Sequence, residues 1–411
     1  MENLSKQQNI PKGWEVKKLD DFVESNLITL GRGNVISKND IKASPGDFPI
    51  YSSSVKNNGL FGKYGDYMFD EEMITWSVDG GGDFFYRPKH KFSVTNVCGF
   101  MRVDQGQFDY GFLAYYLQKE HSRKSFNYQS KAHPSVIRQQ YDIAKPPLKE
   151  QQKIAEVLGA VDEEIEKTKE VIKTTEKLKK GLMQKLFTQG IGHTKFKQTE
   201  LGEIPESWEI GGFEKLVDPE NKNAIKPGPF GSALKKEFYV PEGYKIYGQE
   251  QVLNNDPYYG DYYINEEKYR SLEAFKVIPK DLLISLVGTI GKTLIVPADA
   301  EPGIINPRLL KVTLDHDKAD ARFVDYLLHS PILINQMTSR SHGGTMSILN
   351  KGMLLSVNFP IPPKKEQEEI TKILLAVDEK IAVNRKLLAK QIELKKGLMQ
   401  DLLSGAKRVK V

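Results

Sequence analysis

Residues 288–293, with the sequence GTIGKT, contain a glycine–lysine–threonine pattern that resembles a phosphate-binding loop. Such a loop needs a further glycine five residues before its second glycine, and Leu286 occupies that position. Residues 79–83, with the sequence DGGGD, likewise lack a dinucleotide fingerprint. The chain contains no G-x-S-x-G or H-E-x-x-H sequence. Residues 306–308, Asn-Pro-Arg, do not form the Asn/Asp-Pro-Pro-aromatic motif of amino-methyltransferases. These absences favour a binding protein over an enzyme.

Basic side chains concentrate in the loops of two globular segments, and this pattern is typical of proteins that contact phosphates. Arg and Lys can also donate paired hydrogen bonds to guanine. Taken singly, each residue is more consistent with a solvated surface charge than with a DNA contact. The candidate DNA-binding residues are Arg32, Lys38, Lys56, Arg87, Lys89, Lys91, Lys131, His133 and Arg138 in the first segment, and Lys226, Lys235, Lys236, Lys292, Arg308, Arg340, His342 and Lys351 in the second.

The composition is that of an ordinary globular protein. The 411 residues include 27% charged side chains, and the net charge of +5 suits nucleic-acid binding only if the charge is clustered. The single cysteine, Cys98, excludes an internal disulfide and suits a reducing cytoplasm. The seven histidines show no zinc-ligand spacing, so no metal site is expected. No apolar run is long enough to span a membrane, and the first residues do not resemble a secretion signal.

Two segments, 146–190 and 362–405, are copies of each other at a constant offset. Each begins with Pro-Pro and then places apolar residues three or four positions apart, which predicts one long amphipathic helix. A lone helix cannot bury such an apolar stripe, so we expect the two to pair, with antiparallel pairing favoured. Docking of each helix on a different protein is the alternative. Thr168 with Asn384, and Thr175 with Gln391, occupy matched positions that could fix the register or lie on an exposed face.

A second, shorter repeat, at residues 10–16 and 204–210, marks the start of each half and predicts a tandem duplication. The fold class expected is α+β, with two globular domains that combine a twisted sheet with a few helices, joined by two long antiparallel helices. Strands are expected at residues 48–51, 73–76, 92–95, 281–287 and 292–296, and helices at 108–118 and 321–335. The predicted divisions are 1–145 (first domain), 146–190 (central helix), 191–203 (linker), 204–361 (second domain), 362–405 (distal helix) and 406–411 (basic tail).

The duplicated pattern, Pro-Pro-x-x-Glu-Gln-x-x-Ile followed by Leu-x-x-x-Asp-x-x-Ile and Leu-Lys-x-Gly-Leu-Met-x-x-Leu, resembles the conserved regions of the specificity subunit of type I restriction–modification systems. Residues 10–14 and 204–208 resemble the starts of that family's target-recognition domains, and 343–348 (GGTMSI) the segment that closes the second one. The first domain departs from that pattern at 131–136 (KAHPSV).

The resemblance implies that each domain reads one half of an asymmetric, split DNA site while the helix pair sets the spacer. It also implies that the helices dock two modification subunits, which bring S-adenosylmethionine, and that restriction subunits, which use ATP and Mg²⁺, join the complex. No catalysis or cofactor is then expected in this chain. The residues assigned to partner binding on this basis are Glu150, Gln151, Leu182, Met183, Glu366, Gln367, Leu398 and Met399.

Two other functions remain to be distinguished. A stand-alone DNA methyltransferase would transfer a methyl group without partners. A coiled-coil scaffold with two domains that do not bind DNA would show no salt-dependent affinity for it.

Overall fold

The structure is a computed structural model that describes residues 11–54, 56–79, 83–124, 131–287, 291–339 and 349–411. The chain divides into two compact units: unit 1 comprises Met1–Val171 and Asn384–Val411, and unit 2 comprises Ile172–Val383. Both boundaries fall inside long helices. Each unit therefore combines one globular domain with part of each long helix.

The first half of the chain alternates short strands with short helices before one long helix. Its elements are β1 (Glu15–Lys18), α1 (Leu19–Glu24), β2 (Ile28–Arg32), α2 (Lys38–Ala43), β3 (Phe48–Tyr51), β4 (Leu60–Tyr64), β5 (Phe69–Ser77), β6 (Phe84–Val94), β7 (Cys98–Val103), α3 (Tyr110–His121), α4 (Pro134–Gln140), β8 (Asp142–Lys145) and α5 (Leu148–Gln189).

The second half has more and shorter strands. Its elements are β9 (Phe196–Thr199), β10 (Gly202–Pro205), β11 (Glu209–Gly211), β12 (Ile225–Pro227), β13 (Tyr239–Val240), β14 (Tyr244–Tyr247), α6 (Gln249–Asn254), β15 (Tyr263–Ile264), α7 (Glu266–Ser271), β16 (Lys276–Val277), β17 (Leu282–Ser285), β18 (Thr293–Ile295), β19 (Gly303–Ile305), β20 (Leu309–Val312), α8 (Ala321–Leu328), α9 (Pro331–Ser339), α10 (Lys351–Leu355), β21 (Phe359–Ile361) and α11 (Lys364–Ser404).

Unit 1 is built on a six-stranded sheet in the order β2-β7-β5-β6-β3-β4, with β1 and β8 forming a separate antiparallel pair. Helix α3 begins where the Asp109 carboxylate accepts a hydrogen bond from the Phe112 amide at 2.8 Å, which satisfies one of the free amides of the first turn. The apolar face of α3 packs in a core with Trp76 and with Leu402 of α11. Both the sheet and the long helices therefore contribute to the core of unit 1.

Unit 2 contains a four-stranded sheet, β12-β20-β17-β18, and a five-stranded sheet, β13-β15-β14-β19-β16. Asp320 caps α8 through the Phe323 amide at 2.7 Å, in the way that Asp109 caps α3. The largest core of unit 2 contains Phe323 of α8, Leu186 of α5 and Ile370 of α11. The α+β fold and the mixed sheet-and-helix domains are thus confirmed.

The long helices α5 and α11 are antiparallel, as expected. In unit 1 the Lys395 ammonium lies 2.6 Å from the Asp162 carboxylate, and Asp162 also accepts the Tyr115 hydroxyl at 2.7 Å. In unit 2 the pair Lys179–Asp378, at 2.6 Å, is arranged in the same way. Within unit 2, Lys179 meets Asp378 and Ile191, just past the end of α5, meets Glu366, so the numbering falls along α11 as it rises along α5.

The apolar stripe predicted to be buried between the two long helices is buried only in part. Half of its apolar residues are buried, and both Thr168 and Thr175 are 6% exposed, which agrees with a position between the helices for these two threonines. Leu178 and Leu394, which follow the same spacing, are each 55% exposed. A heptad pattern predicts an apolar stripe but does not specify how wide a part of it the partner helix covers.

Two local predictions need correction. The segment 191–203, expected to be a linker, contains β9 and pairs it with β10 in an antiparallel hairpin. The helix expected at 321–335 is two helices, because α9 begins at Pro331, whose ring nitrogen cannot donate to a continuing helix. Within the described residues, no helix is both long and apolar enough to cross a bilayer.

Candidate nucleic-acid interface

One edge of the four-stranded sheet in unit 2 gathers three of the predicted DNA-binding residues. Strands β12 and β17 end where β20 and β18 begin. Arg308 directly precedes β20, and Lys292 directly precedes β18. The Leu349 amide donates to the Leu286 carbonyl at 3.3 Å, which brings the start of α10, with Lys351, to the same edge. Residues far apart in the chain therefore form one basic edge, which we call the unit 2 edge.

The cations of the unit 2 edge are held by a rigid backbone. Asn306 accepts the Arg308 amide through Oδ1 at 2.9 Å, and the Arg308 carbonyl accepts the Leu286 amide at 2.9 Å. Both Arg308 and Lys292 are exposed. In the part of the chain that the structure describes, neither forms an ion pair with a carboxylate. Their charge is therefore available to an anionic ligand such as a phosphate.

Arg340 and His342, and the GGTMSI segment at 343–348, lie outside the described residues, as do residues 288–290 of the GTIGKT segment.

The corresponding edge of unit 1 brings together Arg32, Lys131 and His133. The Arg32 guanidinium donates to the Asn96 carbonyl at 2.9 Å and lies 3.2 Å from the His133 imidazole. Lys131 forms an ion pair with Asp79 at 2.9 Å. We call this group the unit 1 edge. It is more fully paired within the protein than the unit 2 edge.

The two edges are built by the same main-chain contact. In unit 1 the Ala132 amide donates to the Val78 carbonyl at 2.9 Å, as Leu349 does to Leu286 in unit 2. Each bond fixes the segment that leads into a short helix, α4 or α10. The departure of the first domain from the family pattern at 131–136 is therefore accommodated without loss of this contact.

Arg87 is the predicted DNA-binding residue that the structure contradicts most clearly. It is 5% exposed, donates to Thr75 Oγ1 at 2.9 Å and to the Asn58 carbonyl at 2.6 Å, and stacks 3.6 Å above the Tyr51 ring. Burial lowers the pKa of its guanidinium to about 10. Arg87 therefore stabilises the interior of unit 1, where a phosphate cannot reach it.

The other candidates are distributed over both units, and their role in DNA binding stays a prediction. Arg138 forms an ion pair with Asp20, and Lys235 with Glu237 at 3.4 Å. The rest occupy α2, the turn before β4, β6, β12 and the turns that follow it: Lys38, Lys56, Lys89, Lys91, Lys226 and Lys236.

Gln151, predicted to bind a partner, is fully buried, and its side chain links two helices within unit 1. Its Oε1 accepts the Asp109 amide at 2.9 Å, and its Nε2 donates to the carbonyls of Gln107 at 3.0 Å and Pro146 at 2.8 Å. The side chain thus joins the start of α5 to the start of α3. These bonds leave Gln151 without a free group to offer another subunit.

Gln367 makes the same three bonds in unit 2. Its Oε1 accepts the Asp320 amide at 3.0 Å, and its Nε2 donates to the carbonyls of Lys318 at 2.9 Å and Pro362 at 3.0 Å. The repeated Glu-Gln sequence therefore specifies how each long helix is attached to its globular domain.

Glu150 and Glu366 are also internal. In unit 1 the Trp14 indole donates to Glu150 at 3.2 Å, and the Arg408 guanidinium of the basic tail donates at 2.6 Å. In unit 2 the Trp208 indole donates to Glu366 at 2.8 Å. Both tryptophans belong to the short repeat at 10–16 and 204–210. That repeat was the available signal for this contact, which sequence reasoning missed.

His193 and the Ile191 amide supply the remaining bonds to Glu366, at 2.8 and 2.9 Å. The turn that carries them begins at Gly190, whose φ of 63° favours glycine; a Cβ there would lie 2.4 Å from Glu366.

The last four predicted partner residues lie against the two cores. Met183 is buried with Leu182 packed beside it in unit 2, and Leu398 and Met399 pack against the core of unit 1. These positions attach each helix to its own domain, and their role in partner binding stays a prediction.

Comparison with known proteins agrees with this duplicated architecture. The family described as "Type I restriction modification DNA specificity domain" matches the chain twice, at residues 11–174 and 230–394. The chain is 27% identical over 417 residues to a protein of Methanocaldococcus jannaschii named "Type I restriction enzyme MjaVIII specificity subunit", with 98% of this chain and 94% of that protein aligned.

A further relative from Mycoplasma pneumoniae, named "Putative type I specificity subunit S.MpnORF285P", is 34% identical over 165 residues, which is 39% of this chain and 53% of that protein. Among solved structures, the S subunit of the type I restriction–modification system from M. genitalium superposes with a TM-score of 0.59 at 18% identity, with 97% of this chain and 98% of that chain covered. With two matched domains that together cover most of its length, the chain belongs to the family of type I restriction–modification DNA specificity proteins.

Proposed function

We propose that this chain is the DNA-recognition subunit of a type I restriction–modification complex, and that its two globular domains each read one half of a split site. The observation that carries the proposal is the repetition of one specificity domain in a single chain, with a basic edge in each unit. Specificity subunits recognise DNA and leave the chemistry to other subunits. The chain is therefore not itself an enzyme.

The two halves of the site should differ in sequence. Within the described residues, Arg308 and Lys292 of the unit 2 edge form no ion pair, whereas the unit 1 edge presents Arg32 beside His133 and a paired Lys131. Different donor sets at equivalent places read different bases. We therefore expect an asymmetric bipartite site.

The length of the helix pair should set the number of unread base pairs. Helix α5 has 42 residues, and a rise of 1.5 Å per residue makes it roughly 60 Å long. Inserting four residues within 163–176 and four within 379–392 should lengthen the spacer and leave both half-sites unchanged. Methylome sequencing that showed new half-sites at an unchanged spacing would contradict this role.

Modification subunits should dock on the long helices through side chains that the helix pair leaves exposed. Leu178 in unit 2 and Leu394 in unit 1 are equivalent in the repeat and are each 55% exposed. Two equivalent apolar contacts suit two copies of one partner. Those partners would supply S-adenosylmethionine for methylation, and restriction subunits with ATP and Mg²⁺ would join the same core.

The function is tested by expressing the chain with its modification partner and sequencing the methylome. We expect one asymmetric bipartite motif, which disappears when the chain is omitted. Replacing residues 10–145 with the matching domain of another family member should change one half-site only. Methylation that is unaffected by omitting this chain would refute the proposal.

Salt dependence tests the unit 2 edge. If Arg308 and Lys292 contact phosphates, Arg308→Ala and Lys292→Ala should each lower the slope of log K against log salt by about 1. Lys222→Ala, at an exposed residue just before β12 and so towards the other end of this sheet, is the matched control and should leave the slope unchanged.

A further inference from the structure

Each globular domain exposes one large apolar side chain that no function described above explains. Phe230 is 78% exposed in unit 2, and Val35 is 73% exposed in unit 1. Among the described residues of the two globular domains, no other large hydrophobic side chain reaches these values. An isolated exposed apolar residue is ordinary, but its recurrence at the same place in two domains calls for a cause.

Phe230 and Val35 occupy equivalent positions, each two residues after a glycine that directly follows a strand. The Gly228 amide donates to the Leu309 carbonyl at 2.9 Å, and the Gly33 amide donates to the Cys98 carbonyl at 3.1 Å. In both cases the accepting strand is the one that pairs with the strand before the glycine.

Both glycines allow a close main-chain approach that fixes the loop. A Cβ on Gly228 would lie 1.9 Å from the Asn306 carbonyl oxygen, and a Cβ on Gly33 would lie 1.9 Å from the Val94 carbonyl oxygen. No other residue fits at such a contact. The backbone two residues before the apolar side chain is therefore held tightly in both domains.

The loop in unit 2 has further restraints. Pro227 and Pro229 flank Gly228, and each proline ring fixes one φ angle. After the aromatic residue, the Ala233 amide donates to the Phe230 carbonyl at 3.2 Å. Phe230 thus projects from a stiff loop, so little conformational entropy is lost when it meets a ligand.

The loop of Phe230 also touches the unit 2 edge. A Cβ on Gly228 would lie 2.9 Å from the Pro307 Cα, so the loop that carries Phe230 touches the loop that carries Arg308. In unit 1 the arrangement differs, because Arg32 is the last residue of β2 and precedes Val35 by three residues in the same stretch of chain. In each domain the exposed apolar residue therefore lies on the same loop as a basic residue or on a loop that touches it. This combination suits duplex DNA, whose charged backbone flanks stacked bases.

We propose that Phe230 is an apolar wedge that enters a base step of the half-site read by unit 2, and that Val35 makes the smaller equivalent contact in unit 1. The inference rests on the proposed function, because it requires a bound duplex. Apolar side chains are known to unstack base steps in this way, and contact between a base and an aromatic ring is worth enough to shift affinity measurably.

The test uses the complex of this chain with its modification partner. The probe is a duplex that carries the bipartite site found by methylome sequencing, with 2-aminopurine placed in turn at each purine of both half-sites. Wild-type complex should raise 2-aminopurine emission at one step of the unit 2 half-site. Phe230→Ala should abolish that rise and weaken binding about tenfold at fixed salt, with an unchanged salt slope.

Tyr259→Ala is the matched control, because Tyr259 is an exposed aromatic residue (48%) that lies outside the Gly228 loop. It should change the dissociation constant by less than twofold. Val35→Ala should weaken binding less than Phe230→Ala, because a smaller apolar surface is removed. Circular dichroism melting of each variant establishes that it is folded.

The possible outcomes distinguish failure of the wedge proposal from failure of the proposed DNA-recognition function. If wild-type complex selects no sequence, the proposed function fails. If it selects a sequence but Phe230→Ala binds the duplex as tightly as wild type, the wedge is refuted. Weaker binding with the emission change retained would also refute it, because Phe230 would then act outside the base stack.

Discussion

Replacing Gln151 with alanine should destabilise unit 1 strongly, because the side chain is fully buried and makes three hydrogen bonds to the backbone. The bonds join it to the amide of Asp109 and to the carbonyls of Gln107 and Pro146. A neutral hydrogen bond contributes a net free energy of about 1 kcal/mol, so the loss should be about 3 kcal/mol. For a unit of about 200 residues, this corresponds to a fall in Tm of roughly 6–12 °C.

The assay is thermal unfolding by circular dichroism, combined with amide hydrogen exchange. Gln152→Ala is the matched control, since Gln152 is the next residue of α5 and is exposed. It should change Tm by about 2 °C or less, as is usual for surface substitutions. In Gln151→Ala the Asp109 amide loses its acceptor and should exchange faster, whereas in Gln152→Ala it should stay protected.

Equal melting temperatures for the two alanine variants would refute the reasoning, because the three Gln151 hydrogen bonds would then contribute nothing to the stability of unit 1. Gln367→Ala provides an independent repetition. It removes the same three bonds from unit 2, so its effect should be of similar size.

Three further predictions concern buried titratable groups or paired charges. Burial raises the pKa of Asp281 to about 6, so between pH 4 and 6 the folded state keeps a proton that the unfolded chain releases. The free energy of unfolding should therefore fall by up to about 3 kcal/mol as pH rises from 4 to 6, and urea denaturation of Asp281→Asn should show no such pH dependence. Burial raises the pKa of Cys98 to about 12, so iodoacetamide should leave the thiol unmodified at pH 8 until the protein is unfolded, and labelling of native protein at the rate of a free thiol would contradict this. Lys395→Met should lower the free energy of unfolding by about 1 kcal/mol through loss of the pair with Asp162, whereas Lys396→Met, at an exposed neighbour, should leave it unchanged; the paired groups are 27% and 35% exposed, so solvent screening limits the effect.

The two long helices were predictable because their signal is local. The apolar spacing and the Pro-Pro start specify a helix from neighbouring residues alone, and the predicted 146–190 and 362–405 agree closely with Leu148–Gln189 and Lys364–Ser404. The repeated motif also indicated the family, and a separate search for catalytic motifs favoured a binding protein over an enzyme. None of these inferences required knowledge of which residues meet in space.

The roles of individual side chains depended on long-range contacts that no spacing reveals. The sequence suggested that Glu150 lies on the surface and binds a partner, yet it accepts a hydrogen bond from the Trp14 indole, 136 positions away in the chain. Arg87 was one basic residue among many until the packing of β5 and β6 buried it. Both misassignments arose because a charged residue type indicates chemistry, whereas burial depends on the elements around it.

The sequence by itself determined the helices, the duplication and, through the repeated motif, the resemblance to the family, because periodicity and repetition are properties of the chain read along its length. Only the tertiary structure decided which basic residues share an edge and which apolar residues stay exposed. Arg308, Lys292 and Lys351 are brought to one place because antiparallel strands return their ends to the same side of a sheet. The loop of Phe230 touches the loop of Arg308 because Gly228 permits a main-chain contact that a side chain would block.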